Sequence, residues 1–439
     1  MLPKRVIVVG AGLAGLAAAL ELARAHLDII VIEARPRPGG RVWTERDAFT
    51  GGQHGELGGE FIDSDHRRMR RLAAQLGLTL VPVLSGGFVH RIDPPGGSPR
   101  VLRTGGWDLL ADLVAPLVSR YKAARERDDA PAIRELSTWS LREWLRRADA
   151  GADAHAVADA LRGLYLSEPD DLSVLQLVEQ VAGGDSPAHT KMLRIAGGND
   201  RLVEGLVAMA HPRLLLRHVV RRVVQSDAGV RAVVDGAAGL SEVPADAVVM
   251  ALPTTMLRRV EFDPPLDEAQ QHAMASLHYG CATKAVVQRA APVEWRRARA
   301  FATDGDLGAF WDSTEGQVPP SRPMLTYLAG GRASAGLRER ARQGAAALLS
   351  PLCWLGGALS RASAGDRVAW VSWEQEPFTG GGYAYFDPAF DPAWRSLLSR
   401  RAGRVVFAGE HTSADWQGYM EGAVQSGADA ARTLLKRPA

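Results

Sequence analysis

Gly10, Gly12 and Gly15 stand at the spacing GxGxxG, and Glu33 follows Gly15 by 18 residues. That set suits a dinucleotide. Glycines permit a tight turn, a close backbone approach to pyrophosphate and close packing of helix on strand, while the acid accepts hydrogen bonds from ribose hydroxyls. An acid at 33, rather than a base, disfavours a 2′-phosphate, so FAD and NAD both fit. Ala14 in the glycine loop, and Ala34 and Arg35 after the acid, belong to the same candidate site. Two further glycine pairs follow. Gly39 and Gly40 precede Arg41, whose guanidinium can neutralise a diphosphate. Gly58 and Gly59 lie between Leu57 and Glu60, where backbone has to pass close to something flat. An ordinary NAD site needs no such additions.

The elements that must position these groups are legible around them. RVIVV (5–9) is a β-branched run suited to a buried strand, LAAALELARA reads as a helix, and DIIVIE is a second strand ending at Glu33. In that order the helix N-terminus faces the anion. Lys4 and Arg5 ahead of an apolar run resemble a signal peptide, but the glycine spacing and the helix continuing through Glu21 and Arg24 indicate folded structure. Near the other end, RVVFAGE reads as a strand, followed by a loop and an Ala/Gly-rich helix beginning near GYMEGA. TGGGYAYF (379–386) runs three glycines into aromatics, which taken alone is a loop leading into a buried strand.

The chain resembles the flavin-dependent amine oxidase family, which includes monoamine, polyamine and L-amino acid oxidases. The matching stretches are VIVVGAGLAGL, EARPRPGGR, ELGGEFI, IAGGNDRLVEGL, VVMALPTTMLRRVEFDPPL and RVVFAGEHTSADWQGYMEGAVQSGADAA. The resemblance implies that backbone at Val220 meets the adenine, and that Gly409 and Glu410 lie by the ribityl and phosphate region. It implies that Gly418, Met420 and Ala423 approach the flavin, where the positive end of a helix would stabilise negative charge on the reduced ring. Tyr383 and Tyr419 correspond to the two walls of an aromatic cage before the flavin. Lys284 matches a lysine that holds a water near flavin N5, although a solvated edge lysine would read the same way. Trp373 matches an aromatic packed near the flavin. Glu60 has its backbone beside the cofactor, and its side chain either faces substrate or is solvent-facing or paired with an arginine. Amino acid oxidases of the family tend to carry an arginine where this chain has Phe61, which lowers that reading unless Arg322 or another base substitutes. In covalently flavinylated members a cysteine precedes the first cage tyrosine; Gly382 stands there, so FAD is expected to be held noncovalently.

A chain of 439 residues suits two or three domains. The expected fold is α/β: a Rossmann-type FAD-binding domain (1–78, 194–264, 377–439) interleaved with a substrate domain of mixed sheet plus helices (79–193, 265–376). Apolar positions at helical spacing make 105–185 mostly helical. LLLRHVVRRVVQ, VRAVV, DAVVMALP, ATKAVVQ, MLTYLAG and RVAWVSW read as strands, and DPPGGSP and QVPPSRP as surface loops.

A net charge of +2 indicates no polyanion partner such as nucleic acid. Two cysteines, with no CxxC and no HExxH, indicate neither a disulfide framework nor a metal. The C-terminus carries no apolar stretch of about 20 residues that could span a bilayer, so a cytoplasmic location is the default. A homodimer is compatible with all of this. The expected reaction is hydride transfer from a C–N carbon of an amine to flavin N5, giving an imine and, with O2, hydrogen peroxide. Alternatives are a natural-product tailoring oxidase whose iminium is captured by carbon, and a same-fold desaturase or protoporphyrinogen-type oxidase.

Overall fold

Arg213–Leu216, Asp28–Glu33, Arg5–Val9, Ala247–Met250 and Val405–Phe407 lie side by side in that order as a parallel sheet. The three central strands are buried almost throughout, which is why they read as continuous apolar runs rather than alternating ones. The register sets Val9 opposite Ile32 and Met250, and Met250 opposite Phe407. The chain therefore leaves the sheet at one edge, at Gly10, Ala34, Ala251 and Ala408, the edge at which open α/β sheets bind ligands. These relationships come from a computed structural model describing residues 3–93, 98–102, 106–183, 191–293, 298–317 and 321–436. The expected loops at 93–99 and 317–323 fall partly outside the described residues.

Helix Leu13–Arg24 starts from Gly12 and packs along Met420–Leu435. Their closeness depends on Gly427, where a Cβ would stand 2.0 Å from the Ala14 carbonyl oxygen. Any side chain there would push the C-terminal helix off the nucleotide-facing one.

A seven-stranded sheet lies on the other side of the molecule, in the order Arg367–Ser372, Ala282–Gln288, Met324–Gly330, Ala309–Asp312, Ala300–Thr303, Val89–Ile92 and Arg100–Leu102. Its pairings are antiparallel except that of Ala300–Thr303 with Val89–Ile92. Ala282–Gln288 is buried at every position and has a neighbour on each side. Lys284 is thus an interior lysine, not a solvated edge one. Between Gly106 and Ala182 the chain is helical, as the spacing predicts. Caps divide it: Asp129 accepts from the Ala132 amide, Ser140 from Glu143 and Ser173 from Leu175.

All nine stretches that read as strands contain strands, with LLLRHVVRRVVQ contributing to two. Ala300–Thr303 and Ala309–Asp312 are additional, a short hairpin whose few residues give no sustained alternation. Gly239–Ala245 is another addition, and it carries Pro244 where sheets tolerate proline, on an edge strand. Among the described residues no helix is long and apolar enough to cross a membrane.

Candidate active site

A cavity of about 2040 Å³ runs from the carboxyl edge of the parallel sheet to the face of the seven-stranded one. Single-ligand pockets are typically about 300–1,000 Å³, so this one has room for a dinucleotide and a second molecule. It is lined by every residue predicted above for cofactor or chemistry except Gly15 and Leu57. Gly15 serves packing instead, for a Cβ there would fall 1.9 Å from the Gly10 carbonyl oxygen. Leu57 is a correction, for it is buried outside the cavity with its carbonyl accepting from Trp373 Nε1 at 3.0 Å.

At the sheet edge, Glu33 is held by two backbone amides, Ala11 at 2.8 Å and Arg35 at 2.9 Å. Its carboxylate is oriented before any ribose arrives. The N-terminus of helix Leu13–Arg24 has no side-chain cap and no acid in its first turn, and a Cβ on its cap residue Gly12 would meet nothing within 4 Å. Open space at an uncapped helix N-terminus fits a diphosphate. Gly39 and Gly40 press on this loop: the Gly39 amide donates to the Ala11 carbonyl, and a Gly40 Cβ would lie 3.3 Å from Gly12 Cα. Val220, with His218 and Val219, closes the far end.

Arg41, expected at a diphosphate, lines the cavity but pairs with Glu410 at 3.0 Å and also donates to the Gly382 carbonyl. Glu410 accepts in addition from the Gly418 amide at 2.9 Å, so it ties the Arg41 loop to the segment before Tyr419. Where the sequence suggests backbone passing something flat, a Gly58 Cβ would strike the Arg41 carbonyl and a Gly59 Cβ the Met420 thioether. The chain itself crowds that pair, and both glycines also line the cavity.

At the other end Tyr383 and Tyr419 are joined by Tyr165. Tyr383 donates its hydroxyl to the Leu164 carbonyl. Tyr419 sits at the start of helix Met420–Leu435, with His66 and Trp416 packed edge-on at 5.3 and 5.9 Å. Tyr165 is the third, donating to Gln180 Oε1, while Gln180 Nε2 donates to the Tyr419 hydroxyl at 3.3 Å. Burial raises the pKa of the Tyr165 and Tyr383 phenols, and the neighbouring tyrosines raise both further. These rings stay neutral. Tyr165 and Gln180 belong to the helical stretch whose spacing marks helices but not which face meets a ligand.

Lys284 enters from the central strand. Its Nζ is 2.6 Å from Glu60 Oε2 and 3.0 Å from the Gly58 carbonyl, and 5.4 Å above the Trp311 ring. Glu60 also accepts from Arg194 at 2.9 Å and Trp311 Nε1 at 3.0 Å. Of the alternatives for Glu60, pairing with an arginine is the one observed, with the lysine as second partner. Burial alone would raise its pKa, but the charges of Lys284 and Arg194 and the hydrogen bonds from Lys284 and Trp311 outweigh burial and hold it below the usual carboxylate range. Behind it, burial pushes Glu56 up to about 7, Glu60 adding to the rise while the Asn199 amide and Thr44 hydroxyl oppose it. Trp373 lies beside this network, edge-on to Trp43 at 6.4 Å. Arg322 does not join it: the residue is exposed and away from the cavity, so it is not placed to bind a substrate carboxylate.

The family profile described as flavin containing amine oxidoreductase matches residues 13–435. The Mycobacterium tuberculosis protein AofH, assigned to the flavin-containing monoamine oxidases, is 30% identical over 97% of this chain and 95% of its own. Human flavin-containing amine oxidase B is 26% identical over 98% of this chain and 86% of its own. Among solved structures, putrescine oxidase bound to putrescine superposes with a TM-score of 0.85 at 24% identity, covering 99% of each chain. Cyclohexylamine oxidase from Brevibacterium oxydans IH-35A gives 0.82 at 23% identity, covering 98% of each.

Proposed function

The chain belongs to the flavin-containing amine oxidoreductase family, and from that premise we propose that it is an FAD-dependent oxidase of amines. The observation that carries this reading is the convergence on one cavity of an uncapped, glycine-lined nucleotide end with the buried Lys284 and the half-buried Tyr383 and Tyr419. FAD bound there would accept a hydride from the carbon bearing nitrogen and pass the electrons to oxygen, leaving an imine that water hydrolyses.

The chain's own residues supply position and dryness. Glu33 takes the ribose hydroxyls, and the start of helix Leu13–Arg24 takes the diphosphate. The helix beginning at Met420 points its positive end into the cavity. Tyr383 and Tyr419 form a slot whose faces attract a cation while its desolvation favours the neutral amine. The neutral form matters because its lone pair stabilises positive charge growing on the carbon. Lys284, anchored by Glu60 and the Gly58 carbonyl, presents a fixed ammonium at the wall and can orient a water there. Gly382 in the position directly before Tyr383 supports noncovalent attachment, since glycine offers no thiol.

A peroxide-coupled screen of monoamines, diamines, amino acids and cyclic amines tests the reading. Peroxide from at least one amine class is the expected result; turnover of amines without peroxide would point to a dehydrogenase instead.

A further inference from the structure

His90 is a buried imidazole that no step of the proposed reaction uses. Its place follows from the register of the seven-stranded sheet, in which Lys284 lies opposite Leu328, Leu328 opposite Ala309, Ala309 opposite Ala302, and Ala302 opposite His90. Residues in such a row share one face. The whole row lines the cavity, whereas the next row, Ala285, Tyr327, Phe310, Phe301 and Val89, is packed into the core on the other face. Lys284 and His90 therefore stand on one floor, four strand spacings apart, which is about 19 Å at the ordinary distance between neighbouring strands. Between them the floor offers only Leu328, Ala309 and Ala302. His90 is 8% exposed, and its ring rests on Gly106, where a Cβ would lie 2.5 Å from Nδ1. A side chain at that first position of helix Gly106–Glu126 would displace the imidazole. With the Nδ1 edge covered, Nε2 is the nitrogen left to the cavity. Among the described residues the ring has no hydrogen-bond partner and no charged group acts on it, so burial alone lowers its pKa to about 4. The imidazole is neutral at pH 7.

We propose that His90 recognises the far end of the substrate and that it receives a hydroxyl group carried there by a long, otherwise apolar amine. The inference rests on reading the cavity as an amine oxidase site, and it names the substrate class: long-chain amines with a terminal hydroxyl. A neutral imidazole has one donor and one acceptor, so Nε2 is one or the other according to the tautomer. A hydroxyl answers either. An ammonium would bring three donors to at most one lone pair, and a carboxylate would bring a charge to a ring on which no cation acts. Each would give up its hydration without a matching partner. A methyl end would leave the buried nitrogen unmatched instead. The apolar floor between Lys284 and His90 takes the methylene chain, and its small residues leave that chain little width: a Cβ on Gly163 would lie 3.2 Å from Ala309 Cβ.

The test takes ω-amino alcohols of six to twelve carbons, each beside the n-alkylamine, the α,ω-diamine and the ω-amino acid of equal length, on the FAD-loaded enzyme. Kd comes from anaerobic rapid mixing, or from calorimetry for an amine that leaves the flavin oxidised. At one best length the amino alcohol should bind at least as tightly as its alkylamine. His90→Leu should put it at least about ten-fold behind, equivalent to about 1.4 kcal/mol, while moving the alkylamine much less. His90→Gln, whose amide reaches the place of Nε2, should restore most of the lost binding. An amino alcohol that trails its alkylamine by the same factor in the native enzyme and in His90→Leu would overturn the proposal. So would a diamine or amino acid whose tighter binding His90→Leu removes, or absence of binding by the whole series. If His90→Leu fails to fold, the native comparison decides, and amino alcohols that trail at every length overturn it. If alkylamines are oxidised and the terminal hydroxyl gains nothing, the His90 site falls and the oxidase stands; if amines bind without reducing the flavin, the oxidase reading falls instead.

Discussion

Lys284 Nζ lies 2.6 Å from Glu60 Oε2, with the two side chains only 4% and 3% exposed. A buried pair of this kind is costly to break from one side, because the surviving charge keeps its desolvation cost and loses its partner. Glu60→Gln should therefore destabilise the protein by about 3–5 kcal/mol in denaturant titrations. Adding Lys284→Met should recover part of that loss by removing one stranded cation. Because the Glu60 carboxyl is depressed, its contribution is present above the ordinary carboxylate pKa and disappears as pH falls through the lowered one. A Glu60→Gln variant within about 1 kcal/mol of the parent would show that the pair is worth no more than a surface one.

Glu56 should act with the opposite sign. Its carboxyl rises from 4.5 to about 7, so between those values the folded protein keeps a proton that the unfolded chain releases. Stability should fall as pH climbs through that window, by up to about 3 kcal/mol from this group. Glu56→Gln should flatten the slope between pH 5 and pH 8, read from urea midpoints at each pH. An unchanged slope would place the titrating group elsewhere.

Lys284 touches the cavity as well as Glu60, and its loss should register in the reaction with oxygen. Lys284→Met should slow flavin reoxidation by on the order of a hundred-fold, with a smaller effect on reduction by amine. Separate stopped-flow measurement of the two half-reactions distinguishes these effects. Unaltered reoxidation would remove Lys284 from the oxygen step.

Gly382 bears on attachment. Acid precipitation of the purified enzyme should leave yellow flavin in the supernatant. A yellow pellet would mean a covalent link through some other residue.

The nucleotide end was the more legible part in sequence, because its glycines answer local demands. Gly10 and Gly12 lie in a strand-to-helix turn that spans a few residues, and Glu33 ends the next strand. The end that holds Lys284, Tyr383 and Tyr419 was legible only through resemblance, since it assembles from distant segments. Gln180, Tyr165 and Tyr419 meet although 239 residues separate Gln180 from Tyr419, and no periodicity records such a contact. Arg194 lies 134 residues from Glu60 in the chain, and nothing in its neighbourhood marks it as the partner of that acid. Gly58 is crowded by the Arg41 carbonyl and also lines the cavity, and a sequence cannot tell a crowding backbone from a bound ring.

The proposed reaction moves a hydride from an amine carbon to a flavin in this cavity and on to oxygen. Anaerobic mixing of the FAD-loaded enzyme with an amine that scores in the peroxide screen tests it most directly. The yellow absorbance should bleach in proportion to amine consumed, and admitting air should restore it with one peroxide released per flavin. A flavin that stays yellow under every amine, while remaining reducible by light, would contradict it.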